Sequence, residues 1–238
     1  MSKVKAVLTG HSRGLGAAIA AELAGRGIPV LALARQQGAD LPGVTQVALD
    51  LSDTAALSAW LAGDTMKAFL ADAGTVLLVN NAGMLQPVGP LTGQDPAGVA
   101  DAIALNVAAP LMLAAAVAAL DVAERRVLHV SSGAGRSAYP GWAVYCAGKA
   151  ALDHHARAAT LDQAEGLRIV SLAPGVIDTD MQAQIRATDV EDFPLRAQFQ
   201  ALKANGALAS PENCAQRLVA FALSPGFGTA AVADLREV

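Results

Sequence analysis

Thr9-Gly10-His11-Ser12-Arg13-Gly14-Leu15-Gly16 lies between two segments of opposite character. Before it, Lys3 to Leu8 is a short apolar run of strand length. After it, Ala17 to Ala24 is built from strong helix formers. The reading is strand, glycine turn, helix. A turn of this kind lets a pyrophosphate approach bare backbone and sit at the positive end of a helix. Its glycines, Gly10, Gly14 and Gly16, are spaced differently from the GxGxxG fingerprint, and glycine turns also close ordinary loops. The stretch therefore defines the local fold, and the ligand has to be argued from what surrounds it.

Working outward, Pro29 to Ala34 reads as a second strand, and Ala34-Arg35 stands where a dinucleotide site recognises the adenosine ribose. An acidic residue there would hold a ribose 2′-hydroxyl, whereas an arginine suits a 2′-phosphate. Asp40 lies too far along to serve. Arg35, with Arg13 and the Ser12 hydroxyl inside the glycine turn, points to NADP(H); the alternative is two solvated surface arginines. Val44 to Leu49 reads as a third strand followed by Asp50-Leu51, with Ser52 as the expected N-cap of a helix through Trp60. Thr75 to Val79 is a β-branched run closing in Asn80-Asn81-Ala82-Gly83, small residues and amides that suit a cofactor crossing a sheet edge or an ordinary turn.

The chain has 238 residues, 53% of them hydrophobic, and a mean hydropathy of +0.39, enough to bury a large core. A net charge of −4 with 16% charged residues and no basic cluster lacks the electrostatic footprint of a nucleic-acid binder. Cys146 and Cys214 are too few for a disulfide framework or a zinc site and fit a reducing cytoplasm. The start shows no apolar leader segment. The run from Val107 to Leu120, interrupted by Pro110, is shorter than the roughly 20 residues of a spanning helix, so no membrane partner is expected.

Asp95 to Leu120 is helical by propensity, with Asn106 near its middle and Pro110 four residues on. An Asn in an apolar helix needs a partner to offset its desolvation. Either it makes a satisfied core hydrogen bond, or the helix is kinked and the Asn carbonyl holds a water near a site. Arg126 to Ser131 reads as a fifth strand with Ser132 just beyond its end, the edge where doubly wound sheets bind ligands. Ala143 to Ala164 reads as a helix carrying Tyr145 and Lys149, which share one face at a spacing of four.

A tyrosine ordinarily titrates near 10, and lowering it to about 7 takes roughly 4 kcal/mol. An ammonium about 4 Å away supplies about 4 kcal/mol at an effective dielectric near 20. Such a pair is also an ordinary helix-surface pair, so it gains meaning from Ser132 beside it. His154 and His155, adjacent and without carboxylates, read as surface or subunit-contact residues and not metal ligands.

Leu167 to Ala173 reads as a sixth strand leading into Pro174-Gly175-Val176-Ile177-Asp178-Thr179. Asp180 to Asn205 reads as short helices covering a pocket, Pro211 to Leu223 as a helix, and Thr229 to Asp234 as a last strand. Strands alternating with helices predict one α/β domain over residues 1–238, with a doubly wound, mainly parallel seven-stranded sheet.

Together these motifs closely resemble the classical short-chain dehydrogenase/reductase family along nearly the whole chain. They are TGxxxGxG at Thr9 to Gly16, NNAG at Asn80 to Gly83, Asn106, Ser132, Tyr145 with Lys149, and Pro174-Gly175 followed by Thr179. The resemblance implies a Rossmann-type fold with helices on both faces and an NADP(H)-dependent oxidoreductase. In it Tyr145 donates a proton to a substrate carbonyl and Ser132 bonds the same oxygen. Lys149 lowers the Tyr145 pKa and grips the nicotinamide ribose, and Asn106 anchors a relay water. It also implies that Gly10, Ser12, Arg13, Gly14, Leu15 and Gly16 hold the phosphates, with Arg35 at the ribose. Asp50 and Leu51 would flank the adenine. Asn80, Ala82 and Gly83 would meet the adenosine side, and Pro174, Gly175, Val176 and Thr179 the nicotinamide amide.

The segment Pro174 to Arg186, with Phe199 to Lys203 and Ser210-Pro211-Glu212, looks like the benzil reductase and sepiapterin reductase branch, which reduces vicinal diketones with NADPH. By that likeness the substrate is a small activated ketone, and Asp234 stands where pterin-reducing members anchor substrate, although an Asp there is also an ordinary cap. Met84, Tyr139, Trp142, Met181 and Ile185 are expected to line the pocket. A 3-oxoacyl thioester reductase and a catalytically silent NADP-binding regulator are the competing readings. A cytoplasmic homodimer or homotetramer is the expected assembly, formed through the long helices.

Overall fold

The computed structural model describes residues 3–238. Seven strands run β1 (Val4–Thr9), β2 (Val30–Ala34), β3 (Val44–Ala48), β4 (Thr75–Asn80), β5 (Glu124–Val130), β6 (Leu167–Ala173) and β7 (Val232–Asp234). They form one sheet in the order β3-β2-β1-β4-β5-β6-β7, and every neighbouring pair is parallel. The expected doubly wound sheet is therefore present, parallel throughout. The order reverses between β1 and β4, where Leu8 pairs with Val79, and the crevice at such a switch point is where this topology binds ligands.

Strands buried on both faces read as continuous apolar runs, because each face needs its own set of side chains. In β1, Ala6 and Leu8 join one core layer and Val7 the other; β4 divides likewise, Leu77 and Val79 against Val76 and Leu78. The first layer packs under α1 (Gly14–Gly25) and the last helix, Pro211–Leu223. That last helix starts cleanly because Ser210 accepts the Asn213 amide at 3.1 Å and Pro211 occupies the first turn, where its missing N–H costs nothing.

The second layer packs under α2 (Thr54–Ala62), α3 (Thr65–Leu70), a long apolar helix and α6 (Ala143–Leu161). The cap of α2 is Asp53, which accepts the Ala56 amide at 2.9 Å, and not Ser52 as the sequence suggested. Ser52 instead binds the Asp50 carboxylate through both its amide and its hydroxyl, closing the turn after β3. The short α3 went unread.

The long helix runs as α4 (Pro96–Ile103), a π-helical turn at Ala104–Ala108, and α5 (Ala109–Ala118). At 23 residues, with a mean hydropathy of 1.8 over its most apolar 18-residue window, it is long and apolar enough to cross a membrane, which the run from Val107 to Leu120 alone had not indicated. Ala109, Leu113 and Val117 are nonetheless packed in the second core layer. A π turn stands just before Pro110, where the sequence suggested a proline kink. Pro110 lacks the amide hydrogen that would reach back to Asn106, and the backbone absorbs the mismatch in the turn just before it.

Candidate active site

A cavity of about 740 Å³ opens along the carboxyl ends of the strands, from the glycine turn to the segment after β6. At one end, Gly16 packs so closely that a Cβ there would stand 1.9 Å from the Gly10 carbonyl oxygen, and a Cβ on Gly10 would stand 2.8 Å from the Ala82 Cα. The turn is thus pressed onto the end of β4. Thr9 and Asn81 lock it there. The Thr9 hydroxyl accepts the amides of Asn81 and Ala82, both at 3.0 Å, and the Asn81 side chain donates to the carbonyls of Thr9 (3.0 Å) and Gly10 (3.1 Å). Sequence reasoning passed over this clamp, although both residues sit inside its motifs.

The N-terminus of α1 carries no side-chain cap; Arg13 precedes it in extended conformation, and its side chain reaches the exposed Asp180 at 3.5 Å instead. The uncapped amides and the bare Gly14, which lines the cavity, fit an anionic diphosphate with the helix dipole behind it. Ser12, Arg13, Leu15, Arg35, Asp50, Leu51, Ala82 and Gly83 line the same end, and Pro174, Gly175, Val176 and Thr179 the other wall. These residues can hold an extended dinucleotide.

Asn80 is a correction. It is 2% exposed and absent from the cavity wall, its amide donating to the Pro110 carbonyl at 3.2 Å and facing His129 at 3.1 Å. The alternation of a strand sends its side chain under the sheet edge, and the next residue, Asn81, takes the cavity side. His129 in turn meets His155 at 3.2 Å. His155 is therefore half-buried against β5, whereas its neighbour His154 is exposed. Burial first, then His155 and Lys149, hold the His129 imidazole down to about 3, so it is neutral at physiological pH.

At the centre, Ser132, Tyr145 and Lys149 line the cavity together. Ser132 stands past the end of β5 and accepts the Ala134 amide at 3.2 Å, which fixes its hydroxyl in the turn. Tyr145 and Lys149 project from one face of α6 and are 7% and 5% exposed. The Lys149 ammonium donates to the Val130 carbonyl at 2.8 Å and lies 5.6 Å from the centre of the Tyr145 ring. Burial lowers Lys149 to about 8, with Asp153 opposing. The lowering expected for Tyr145 is outweighed. Burial pushes its phenol up to about 12, with the Ser132 hydroxyl opposing and Cys146 adding to the rise.

Asn106 is not on the cavity wall. Its Oδ1 accepts the Met84 amide at 2.9 Å and its Nδ2 donates to the Met84 carbonyl at 2.8 Å, so the satisfied-core reading holds for the side chain. This contact fastens the strand-end segment that places Met84 in the cavity.

The expected substrate residues do converge. Met84, Tyr139, Trp142, Met181 and Ile185 line the cavity with Phe199, under the cover of α7 (Asp180–Ala187) and α8 (Arg196–Ala204). Trp142 stacks on Phe193 at 4.6 Å and meets Tyr145 edge-on at 5.7 Å. Asp234 also reaches the cavity, but Arg236 takes its carboxylate through the amide at 3.0 Å, Nε at 2.8 Å and Nη2 at 2.6 Å. That pairing, led by the Arg236 hydrogen bonds, holds Asp234 down to about 2.

A parallel doubly wound sheet with a Ser-Tyr-Lys group at the switch-point edge is the frame of a nucleotide-dependent oxidoreductase. The short chain dehydrogenase family matches residues 4–190, and the chain belongs to that family. It is 32% identical to a benzil reductase ((S)-benzoin forming) of Bacillus cereus, across 89% of this chain and 91% of that protein. It is 34% identical to the sepiapterin reductase of Meriones unguiculatus, across 97% of this chain and 95% of that one. Among solved structures it is 47% identical to a short-chain dehydrogenase/reductase from Burkholderia vietnamiensis, at a TM-score of 0.71 over 99% of this chain and 98% of that chain.

Proposed function

We propose that the protein is an NADPH-dependent carbonyl reductase acting on a vicinal diketone or similar small activated ketone, with Tyr145 as general acid. The observation that carries this reading is the joint exposure of Ser132, Tyr145 and Lys149 to a cavity whose far wall is aromatic and aliphatic. The relatives named benzil reductase and sepiapterin reductase support the substrate class.

When bound, the reduced nicotinamide supplies the hydride. The substrate carbonyl oxygen takes a hydrogen bond from Ser132 and lies against the Tyr145 phenol. With burial raising it to about 12, Tyr145 holds its proton at neutral pH, the form a reductase needs. As negative charge builds on the oxygen, Tyr145 gives up that proton, and the Lys149 ammonium stabilises the phenolate left behind. Phe199, Met181 and Ile185 exclude water and present apolar surface to the substituents flanking the dicarbonyl. After the reduction Lys149 gives a proton to the Tyr145 phenolate, and the Asn106 carbonyl, without an α-helical donor at Pro110, can hold the water that reprotonates Lys149 from solvent.

Arg35 and Arg13 support a preference for the 2′-phosphate. The long apolar helix has 33% of its most apolar window buried, which supports assembly into dimers or tetramers through that face.

Purified protein is tested for NADPH consumption on benzil, 1-phenyl-1,2-propanedione, sepiapterin and an acetoacetyl thioester. Fast turnover of the aryl diketones is expected; preference for the thioester would assign the chain to acyl reduction instead.

A further inference from the structure

Asp153 is 1% exposed and lies one helical turn beyond Lys149 on α6. Its Oδ1 accepts hydroxyl hydrogens from Ser131 and Ser171, both at 2.7 Å, and its Oδ2 accepts Nε of Arg136 at 3.2 Å. Three elements are thereby tied to α6: the end of β5 at the residue before Ser132, the middle of β6, and the turn that follows Ser132. The packing leaves no slack. A Cβ on Gly135 in that turn would meet both Asp153 Oδ2 and the Lys149 carbonyl at 3.0 Å. Arg136 continues to the β7 edge, donating to the Ala233 carbonyl at 2.8 Å and standing 4.0 Å from the Asp234 carboxylate.

Burying a carboxylate costs several kcal/mol unless it is paired, and the two serines and one arginine satisfy it where it stands. No step of the carbonyl reduction described above uses it. Its neighbour Lys149 is a buried cation whose ammonium is hydrogen-bonded to a neutral carbonyl, so its charge needs an anion nearby. The charged and titratable groups around the two are Tyr145 on α6, the neutral His129 on β5, Arg136 in the turn, and Asp234, paired with Arg236, at β7. Asp234 is engaged three ways by Arg236, whereas Asp153 takes a single Arg136 hydrogen bond and lies one turn from Lys149 on the same helix.

We propose that Asp153 is a positioning residue for the catalytic group: its carboxylate keeps the buried Lys149 ammonium charged and fixes the Ser131–Ser132 turn against α6. The proposal rests on the proton-transfer reading of Tyr145 and Lys149. It places the electrostatic control of that pair one shell behind the cavity. Removing the anion disfavours the ammonium, so Lys149 gives up its proton at a lower pH; removing the Arg136 cation acts in the opposite sense.

Competitive trace labelling with acetic anhydride, read by mass spectrometry, follows the protonation of Lys149 in the protein itself. In Asp153→Asn, which keeps the shape and loses the charge, the labelling midpoint is expected at least about one pH unit lower than in the parent, and in Arg136→Gln it is expected higher. In turnover of an aryl diketone, Asp153→Asn is expected to lose kcat about tenfold at pH 8, to recover as pH falls to about 6, and to keep its KM. A Lys149 midpoint unmoved in Asp153→Asn, or a loss of kcat equal at every pH, would overturn the proposal. If Asp153→Asn does not fold, the absence of an upward shift in Arg136→Gln overturns it alone. Normal turnover by Tyr145→Phe would instead bring down the proton-transfer reading and leave the labelling result standing.

Discussion

The Lys149 ammonium is held 2.8 Å from the Val130 carbonyl, at the end of the strand that leads to Ser132, and 5.6 Å from the centre of the Tyr145 ring. One hydrogen bond thus fixes the cation relative to both the Tyr145 phenol, the proposed acid, and the Ser132 hydroxyl. At that separation an effective dielectric near 20 gives about 3 kcal/mol of stabilisation to a phenolate, roughly a hundredfold in rate.

Lys149→Met is therefore expected to lower kcat by about a hundredfold with a smaller change in KM. In the parent protein the ammonium is present below its pKa and is lost as pH rises through about 8, so reduction should fall off on the alkaline side near that value. Rates measured from pH 6 to 10 at saturating cofactor test this. An alkaline limb unchanged by the substitution would contradict it.

Asn106 makes both of its side-chain bonds to the backbone of Met84. Asn106→Ala leaves the partly buried amide and carbonyl of Met84 without their partner, which is expected to cost about 1–3 kcal/mol of stability. Urea denaturation followed by tryptophan fluorescence measures it. A loss below about 0.5 kcal/mol would mean that water replaces the side chain without penalty.

Arg35 lines the end of the cavity proposed for the adenosine, and parent protein is expected to prefer NADPH over NADH by at least about tenfold in kcat/KM, about 1.4 kcal/mol. Arg35→Ala should remove most of that preference by weakening NADPH while leaving NADH nearly unchanged. Equal efficiencies in the parent would refute the assignment.

Much of this site was legible because it rests on local chemistry. Glycines at a strand-to-helix turn, an arginine after β2, and a tyrosine and lysine four apart on a helix each carry meaning within a few residues. The apolar runs gave the strands, and their alternation with helices gave a mainly parallel sheet. What was missed depends on side-chain direction and long-range partners. Asn80 and Asn81 look equivalent in a row, yet the pleat sends one under the sheet and the other to the cavity. Asp53 displaced Ser52 as a cap because Asp50 had already engaged the serine. The raised phenol of Tyr145 reflects burial, which no spacing rule contains, and the role of Asp153 became visible only once Ser131, Ser171 and Arg136 were seen to meet it.

The most direct test is the steady-state reduction of benzil by Tyr145→Phe with NADPH, beside the parent protein. The account predicts a loss in kcat of about a thousandfold with a far smaller change in NADPH affinity, because the phenol contributes the proton and Tyr145, also expected to touch the cofactor, is one of many cofactor contacts. Turnover by Tyr145→Phe at the parental rate would contradict it.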